Sequence, residues 1–522
     1  MPITDATRRG LLAAGITLPF SGAVLTGGWA REARAQSGGT LTVALPTTPT
    51  SCDPINPPDH DWMIACQTVF ENLVEYDIDG VLKPQLAKAL PTISADKLTY
   101  AFELREGVRF HNGQLLTSED VKYSFEYMLD PKNKAARGPT FSRLSHVEVD
   151  SPTRLRVILK EPFSPWLTFL TKFMGIWPKG SREQFGEDHF RRRPSGVGTG
   201  PGLFEEWKQN DHISFRRNPN YWDPGKPAWE RLVVRQVPED ASRVAYLLSG
   251  QADIISVPPP RDFARLKSRR GIQGGARPTL GGWSFIAMNN AKPPFDDVNF
   301  RLAVAHAVDR KTLNERVYHG MVETASVPAP ASSWWFNPAA DAMLDYNMEK
   351  ARAYLAKSKY PNGASFELAV ASVPYLLDSR DAAIFLQAEL AKLNIEVKLR
   401  LAESSVLSPM LARGELDALV ANFMSPGDPT YMIMVYLTAG QFMSRSSSFV
   451  DPKLEELMRQ AFAETDQEAM KPYLHQIQTL LAEKSPFIWL GFFSAANLWR
   501  DRVKNFKVST GQTVTVRDVS VG

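Results

Sequence analysis

Few residue types that do chemistry stand here at spacings that would let them act together. Gly196-Val197-Gly198-Thr199-Gly200-Pro201-Gly202 is the nearest approach to a phosphate loop. A dinucleotide loop needs a third glycine at position 201, where Pro201 stands. A nucleoside-triphosphate loop needs Gly-Lys followed by Ser or Thr, and Gly225-Lys226 is followed by Pro227. These glycines therefore read as a tight turn or hinge. No serine has the Gly-x-Ser-x-Gly context of a hydrolase elbow. The 8 histidines are scattered without a His-Glu-x-x-His, and no Cys-x-x-Cys occurs, so neither a metal nor a cofactor is expected. His306, among Ala and Val in a helical stretch, reads as a packed residue. Arg191-Arg192-Arg193 reads as a solvated loop cluster. Cys52 and Cys66 leave two readings open: a bridge, which would add about 3 kcal/mol if unstrained, or two buried thiols. Trp334-Trp335-Phe336 in a Pro-rich loop suits either core or the wall of an apolar pocket. No catalytic constellation assembles, which points to capture rather than catalysis.

The elements that must position these residues are a mixed set. Gly39–Leu45 alternates as a strand, and 59–73 reads as a helix. Leu98–Leu104 alternates again. Thr117-Ser118-Glu119-Asp120 is a capping box, with Val121, Phe125, Met128 and Leu129 forming the apolar face of its helix. Val147–Val149 and Arg154–Leu159 form a hairpin. Leu232–Val237 and Ala252–Ile255 read as strands, separated by a helix from Asp240 that Gly250 stops. Phe295–Val317 is largely helical. Strand 366–371, helix 381–393 and strand 395–399 make a parallel βαβ unit. Leu407–Leu411 reads as helical, Ala418–Phe423 as a buried strand, Leu454–Glu483 as two helices, and Phe487–Phe493 as a last apolar strand.

With 522 residues, 43% hydrophobic and 22% charged, the chain is an α/β globular protein of several domains or two large lobes. The net charge is only +3, and the arginine-rich first 36 residues carry most of it. No long-range attraction to nucleic acid or an acidic membrane follows. Those 36 residues read as an address. Arg8-Arg9 precedes the uncharged run Leu11–Ala30, and Ala33-Arg34-Ala35 is a small-x-small cleavage pattern. This predicts a twin-arginine export signal cleaved near Ala35 or Gln36. A retained anchor is the rival, disfavoured by the Gly and Pro content of the run. The mature chain is expected in the periplasm.

Several segments resemble the bacterial extracellular solute-binding proteins of family 5, the peptide-, nickel- and opine-type receptors of ABC importers. They are Tyr100-Ala-Phe-Glu-Leu-Arg105-Glu-Gly-Val-Arg-Phe110-His-Asn-Gly113 with Leu116-Thr-Ser-Glu-Asp120, Val197-Gly-Thr-Gly-Pro201 and Arg217-Asn-Pro-Asn-Tyr-Trp222. Leu248-Ser-Gly-Gln-Ala-Asp253, Met288-Asn-Asn290, Phe300-Arg-Leu-Ala303 with Ala307-Val-Asp-Arg310, and Gly427-Asp428-Pro429 follow in family order. The resemblance implies a two-lobed periplasmic-binding-protein-like (type II) α/β fold with an extra subdomain on the first lobe. Lobe I would take residues 37–288 and 492–522, with 77–198 as the extra subdomain, and lobe II 289–491. It implies a monomer that captures a peptide or peptide-like solute between the lobes and delivers it to membrane permease subunits. An exported hydrolase is the rival from another class, and a chaperone-like holdase a third reading.

Closure requires pocket walls from both lobes. The expected ones are Thr47 and Thr48 after the first strand, Gly282 and Trp283 in the crossing region, and Trp334 and Trp335 in the Trp-rich loop. Asn422, Phe423 and Ser425 before Gly-Asp-Pro, and Trp489 and Phe492 in the late strand, complete them. In the family's peptide binders an acidic residue just before Gly-Asp-Pro pairs with the peptide's amino group. Ser425 stands there and carries no charge, so a buried ammonium would lack its partner. Asp428 is expected chiefly to cap the following helix, with ligand contact as the alternative. A modified peptide, an opine-like conjugate or a sugar derivative is thereby favoured over a free-amino peptide. Nickel is disfavoured by the absence of a His cluster. Gly202 stands where the family usually has an aromatic.

Overall fold

The long strand Ile272–Met288 lies centrally in an eleven-stranded sheet. The computed structural model describes residues 39–522, apart from 48–49, 56–62, 137, 173, 373–378, 425–427, 441 and 512. The long strand runs antiparallel to the return strand Phe487–Arg500, and their register breaks between Pro278 and Trp283. Pro278 has no N–H to give a ladder, so a break there is the local response.

Beyond the break the sheet continues differently on each side. The return strand leads to Ile254–Ser256, Thr40–Leu45, Arg231–Gln236, His212–Arg217 and Gly202–Lys208. The long strand leads to Ala418–Met424, Ser365–Ser372 and Glu396–Glu403. Thr40–Leu45 is parallel to both its neighbours, and so is Ser365–Ser372. Parallel neighbours require crossovers. Asp240–Ser249 supplies a helix at one end and Ser379–Ala391 at the other. The chain is therefore two α/β lobes on a shared pair of long strands, the expected type II arrangement.

A separate four-stranded sheet takes Thr92–Ile93, Thr99–Glu103, Arg154–Leu159 and Leu144–Ser151. The helix Ser118–Leu129 buries Val121, Phe125 and Met128. Its capping box forms as expected, with Thr117 N donating to Asp120 Oδ2 at 2.8 Å. The βαβ unit is also as expected, with Phe366 opposite Val397. Other elements differ. The stretch 295–317 divides into Val298–Ala307 and Arg310–Arg316, because Asp309 caps the second helix by accepting from Thr312 N at 3.0 Å. The helix expected over 59–73 is described only as Met63–Val69. The last apolar strand runs seven residues past Phe493, to Arg500.

The glycine-rich segment turns at Gly196, with φ +77°, and then lies against the end of the helix Met63–Val69. A Cβ at Gly198 would stand 1.9 Å from Val69 O, and one at Gly200 2.4 Å from Thr68 O. Gly202 is explained likewise, since its Cβ would meet Thr68 Cγ2 at 2.4 Å. These glycines permit backbone contact rather than hinge motion. Cys52 and Cys66 are buried free thiols. Burial pushes the Cys52 thiol up to about 12 and the Cys66 thiol well above its ordinary value, with Cys52 adding to the latter shift.

Candidate functional site

In open α/β sheets, ligands bind outside the carboxyl ends of the parallel strands. The register shows where those ends lie. In one lobe Thr40–Leu45 runs beside Ile254–Ser256, whose last residue stands opposite Asn497 of the return strand. In the other, Ala418–Met424 ends with Met424 opposite Gly282. Both carboxyl ends thus approach the break in the long pair. There Thr279, which sequence patterns did not single out, donates from Oγ1 to Phe493 O at 2.6 Å and accepts from Gly282 N at 3.1 Å.

Six of the expected residues, Gly282, Trp283, Asn422, Phe423, Trp489 and Phe492, lie on the three central strands. Phe423, Trp283 and Phe492 stand opposite one another in the backbone register, and Trp283 and Phe492, opposed on antiparallel strands, share a face. Trp283 packs edge-on to Trp489 at 5.0 Å and to Phe492 at 6.3 Å. Phe285 and Phe487, which were not expected, extend this buried wall at 5.3 and 5.6 Å from Trp489. Asn422 stands opposite Ser284, one residue along from the Trp283 position, and so belongs to the other face of the sheet. Its Nδ2 donates to Ser379 Oγ at 2.7 Å, while its Oδ1 is buried without a partner among the described residues.

The remaining expected residues separate. Thr47 is buried just after the first strand. Thr48 and Ser425, and the expected export signal, lie outside the described residues. Trp335 is buried, and its carbonyl accepts from Gln478 Nε2 at 2.7 Å, so it packs onto the helix Gln467–Lys484. Trp334 is half-buried. Asp428 caps the helix Pro429–Leu437, accepting from Tyr431 N at 2.9 Å and from Thr430 Oγ1. Tyr76 faces Asp428. Burial, with the Asp428 carboxylate second, pushes its phenol up, and its hydroxyl lies 2.8 Å from Thr168 Oγ1.

Three of the segments that resemble the family, those holding His111, Thr199 and Tyr221-Trp222, converge elsewhere, on Glu71. Its buried carboxylate accepts from Tyr221 Oη at 2.6 Å, Trp222 Nε1 at 2.8 Å and Thr199 Oγ1 at 2.9 Å. His111 belongs to the same knot, 3.0 Å from Gly200 O. A cavity of about 260 Å³ adjoins it, lined by Glu71, Glu75, Tyr76 and Arg517 among others, and by none of the expected ligand residues. These motifs build scaffold. Burial outweighs the donors and raises the Glu71 carboxyl from its ordinary 4.5 to about 7. Between those values the folded chain holds a proton that the unfolded chain releases. The stability from this group is complete below 4.5 and is lost as pH rises through 7. Urea midpoints measured across that interval should therefore decline more steeply in the wild type than in Glu71→Gln. Parallel profiles would contradict the shift.

His306 is buried, stacks on Tyr354 and lies 2.7 Å from Asp345 O, as a packed residue should. Among the described residues no group of three or more His, Cys, Asp or Glu could hold a metal ion, and no helix is long and apolar enough to cross a membrane.

Comparison with known proteins gives a consistent result. Residues 81–444 match the profile of the bacterial extracellular solute-binding proteins, family 5 Middle. The chain is 28% identical to a heme-binding protein A of Haemophilus influenzae, over 88% of each chain. It is 27% identical to a probable di/tripeptide-binding protein 5 of Pseudomonas aeruginosa, over 91% of this chain and 94% of that one. Among solved structures, the binding protein AgaA of A. tumefacien R10, in complex with agropinic acid, superposes with a TM-score of 0.80 at 26% identity, covering 93% of this chain and 99% of that one.

Proposed function

We propose, from the premise that this chain belongs to the bacterial extracellular solute-binding proteins of family 5, that it captures a peptide-like solute lacking a free ammonium group in the crevice between its lobes. The observation that carries this is the approach of both sets of strand ends to the break at residues 278–283. We take the lobes to be 37–288 with 492–522, and 289–491, with 77–198 as the extra subdomain. The long pair of strands joins them; Trp283, Trp489 and Phe492 wall the crevice from one face of the sheet, and Asn422 meets it at the strand end from the other.

The ligand class follows from charge. A buried ammonium needs an anionic partner. Ser425 carries no charge, and Asp428 is occupied by its helix and by Tyr76. Asn422 Oδ1 is a neutral acceptor suited to an amide N–H. The Pseudomonas relative's name and the agropinic acid complex bracket this class between peptides and opine-type conjugates. The loaded protein delivers its solute to permease subunits from the periplasm, reached through the export signal at 1–36, and performs no catalysis.

Thermal-shift screening of the mature protein tests this. The panel holds free and N-acetylated di- to pentapeptides, opine-type conjugates, sugars, heme and metal ions. A solute at 100 times its Kd stabilises by about 2.7 kcal/mol, well above detection. Binding of N-blocked or conjugated solutes is expected. Binding of free peptides alone, abolished by N-acetylation, would show that an unrecognised acid holds the ammonium.

A further inference from the structure

Charge is near balance over the whole chain, yet folding gathers cations at one place. Segments 261–271 and 500–507 hold nine Lys and Arg against Asp262 and Asp501. They are far apart in sequence and side by side in the fold. Ile272 stands opposite Arg500 in the long pair of strands, and Asp501 N donates to Gly271 O at 3.1 Å. A Cβ at Gly274 would stand 2.5 Å from Lys267 Cβ, so the helix Pro260–Leu266 runs out against the long strand. Trp499 meets Phe506 at 5.0 Å, which turns 503–507 back onto the same end. Three of the cations are paired: Arg265 with Asp262 at 2.7 Å, and Arg500 and Arg502 with Asp253 at 3.9 and 2.9 Å. Arg261, Lys267, Arg269, Arg270, Lys504 and Lys507 are exposed and have no carboxylate partner among the described residues. Against these six stands Asp501, whose carboxylate accepts from Gln273 Nε2 at 3.1 Å.

Soluble surfaces intersperse the two signs, and gathered cations repel one another unless an anion faces them. We propose that this face docks on an anionic phospholipid surface. The chain's small net charge does not decide such contact, because screening beyond about 8 Å leaves only nearby charges to act. The large apolar residues of the two segments are buried, with Phe263, Leu266 and Phe506 at 6%, 0% and 8% exposure. A protein partner is held by aromatic or aliphatic anchors at the centre of its interface. Headgroup phosphates need only donors, which lysine and arginine supply. Arg502 Nη2 donates to Thr40 O at 2.8 Å, so the face lies at the amino end of the first strand. The crevice proposed above lies at the carboxyl ends. A protein seated on lipid by this face therefore keeps its crevice open to solute while it stands beside the membrane.

Co-sedimentation of the exported protein with lipid vesicles tests this and needs no solute. Vesicles of equal parts phosphatidylethanolamine and phosphatidylglycerol should retain the protein at low salt and release it as salt rises. Vesicles of phosphatidylcholine alone should not retain it. One Lys or Arg beside an anionic surface raises partition about fivefold, so Arg269→Gln with Arg270→Gln should lower it roughly 25-fold. Arg191→Gln with Arg192→Gln removes the same charge from another exposed helix end, in Glu187–Arg192, and should lower it by less than about twofold. Failure to sediment with the anionic vesicles overturns the proposal, and so does an equal loss from the two double variants. Retention only by membranes that carry permease protein would assign the face to acidic protein groups and overturn the lipid reading. These readouts are independent of the solute screen, so the failure of either leaves the other informative.

Discussion

Asp53→Asn should destabilise the folded chain by about 3–5 kcal/mol, the cost of leaving a buried charge without its partner. Asp53 and Arg182 are each 1% exposed at the side chain, and they pair through two hydrogen bonds of 2.7 and 2.8 Å. Neither group reaches water in exchange. The Arg182 guanidinium lies over the rings of Phe190 at 3.7 Å and Trp177 at 4.3 Å, which shield it further and attract it weakly. Asn keeps the shape and removes only the charge. A second variant, Asp53→Leu with Arg182→Met, should recover much of the loss, since an apolar pair needs no desolvation. Urea unfolding measures both through a shifted midpoint at constant slope. A loss under about 1 kcal/mol in Asp53→Asn would mean that water or another anion reaches the guanidinium.

Gly198→Ala is the second large effect, at about 3 kcal/mol or more. The added Cβ would stand 1.9 Å from Val69 O and 2.7 Å from Val69 C, so the backbone itself must move. That movement would strain the 2.9 Å bond from Gly200 N to Val69 O and the Thr199 contact to Glu71. Gly39→Ala is the control. Nothing lies within 4 Å of its Cβ, and it should unfold at the wild-type midpoint. Equal midpoints for Gly198→Ala and wild type would show that the segment yields freely, as a hinge would.

What could be read from the sequence was what local chemistry determines. The βαβ unit was legible because its strands alternate and its helix is of ordinary length. The stop at Gly250 was legible because that residue takes φ +81°. The central strand Ile272–Met288 was not, since Gly274, Gly275, Pro278, Gly281 and Gly282 mimic loop composition. Its strand character comes from neighbours on both sides, a tertiary cause that no window of residues contains. At the break in the long strands, Trp283, Trp489 and Phe492 were legible as aromatics near expected crossing points. Thr279 and Tyr76 were not, because their partners Phe493 and Asp428 lie hundreds of residues away. Three of the family-like segments build the Glu71 knot, which is why they identify the scaffold more sharply than the solute.

The central claim, that solute is held at the break where the two lobes share their long strands, comes down to Asn422 and the dissociation constant of the solute the screen selects. Calorimetric titration of wild type and Asn422→Leu measures it directly. The account predicts one solute per chain in the wild type and roughly tenfold weaker binding in the variant, the factor that about 1.4 kcal/mol corresponds to. An Asn422→Leu protein that is folded and binds with the wild-type constant would place the solute elsewhere.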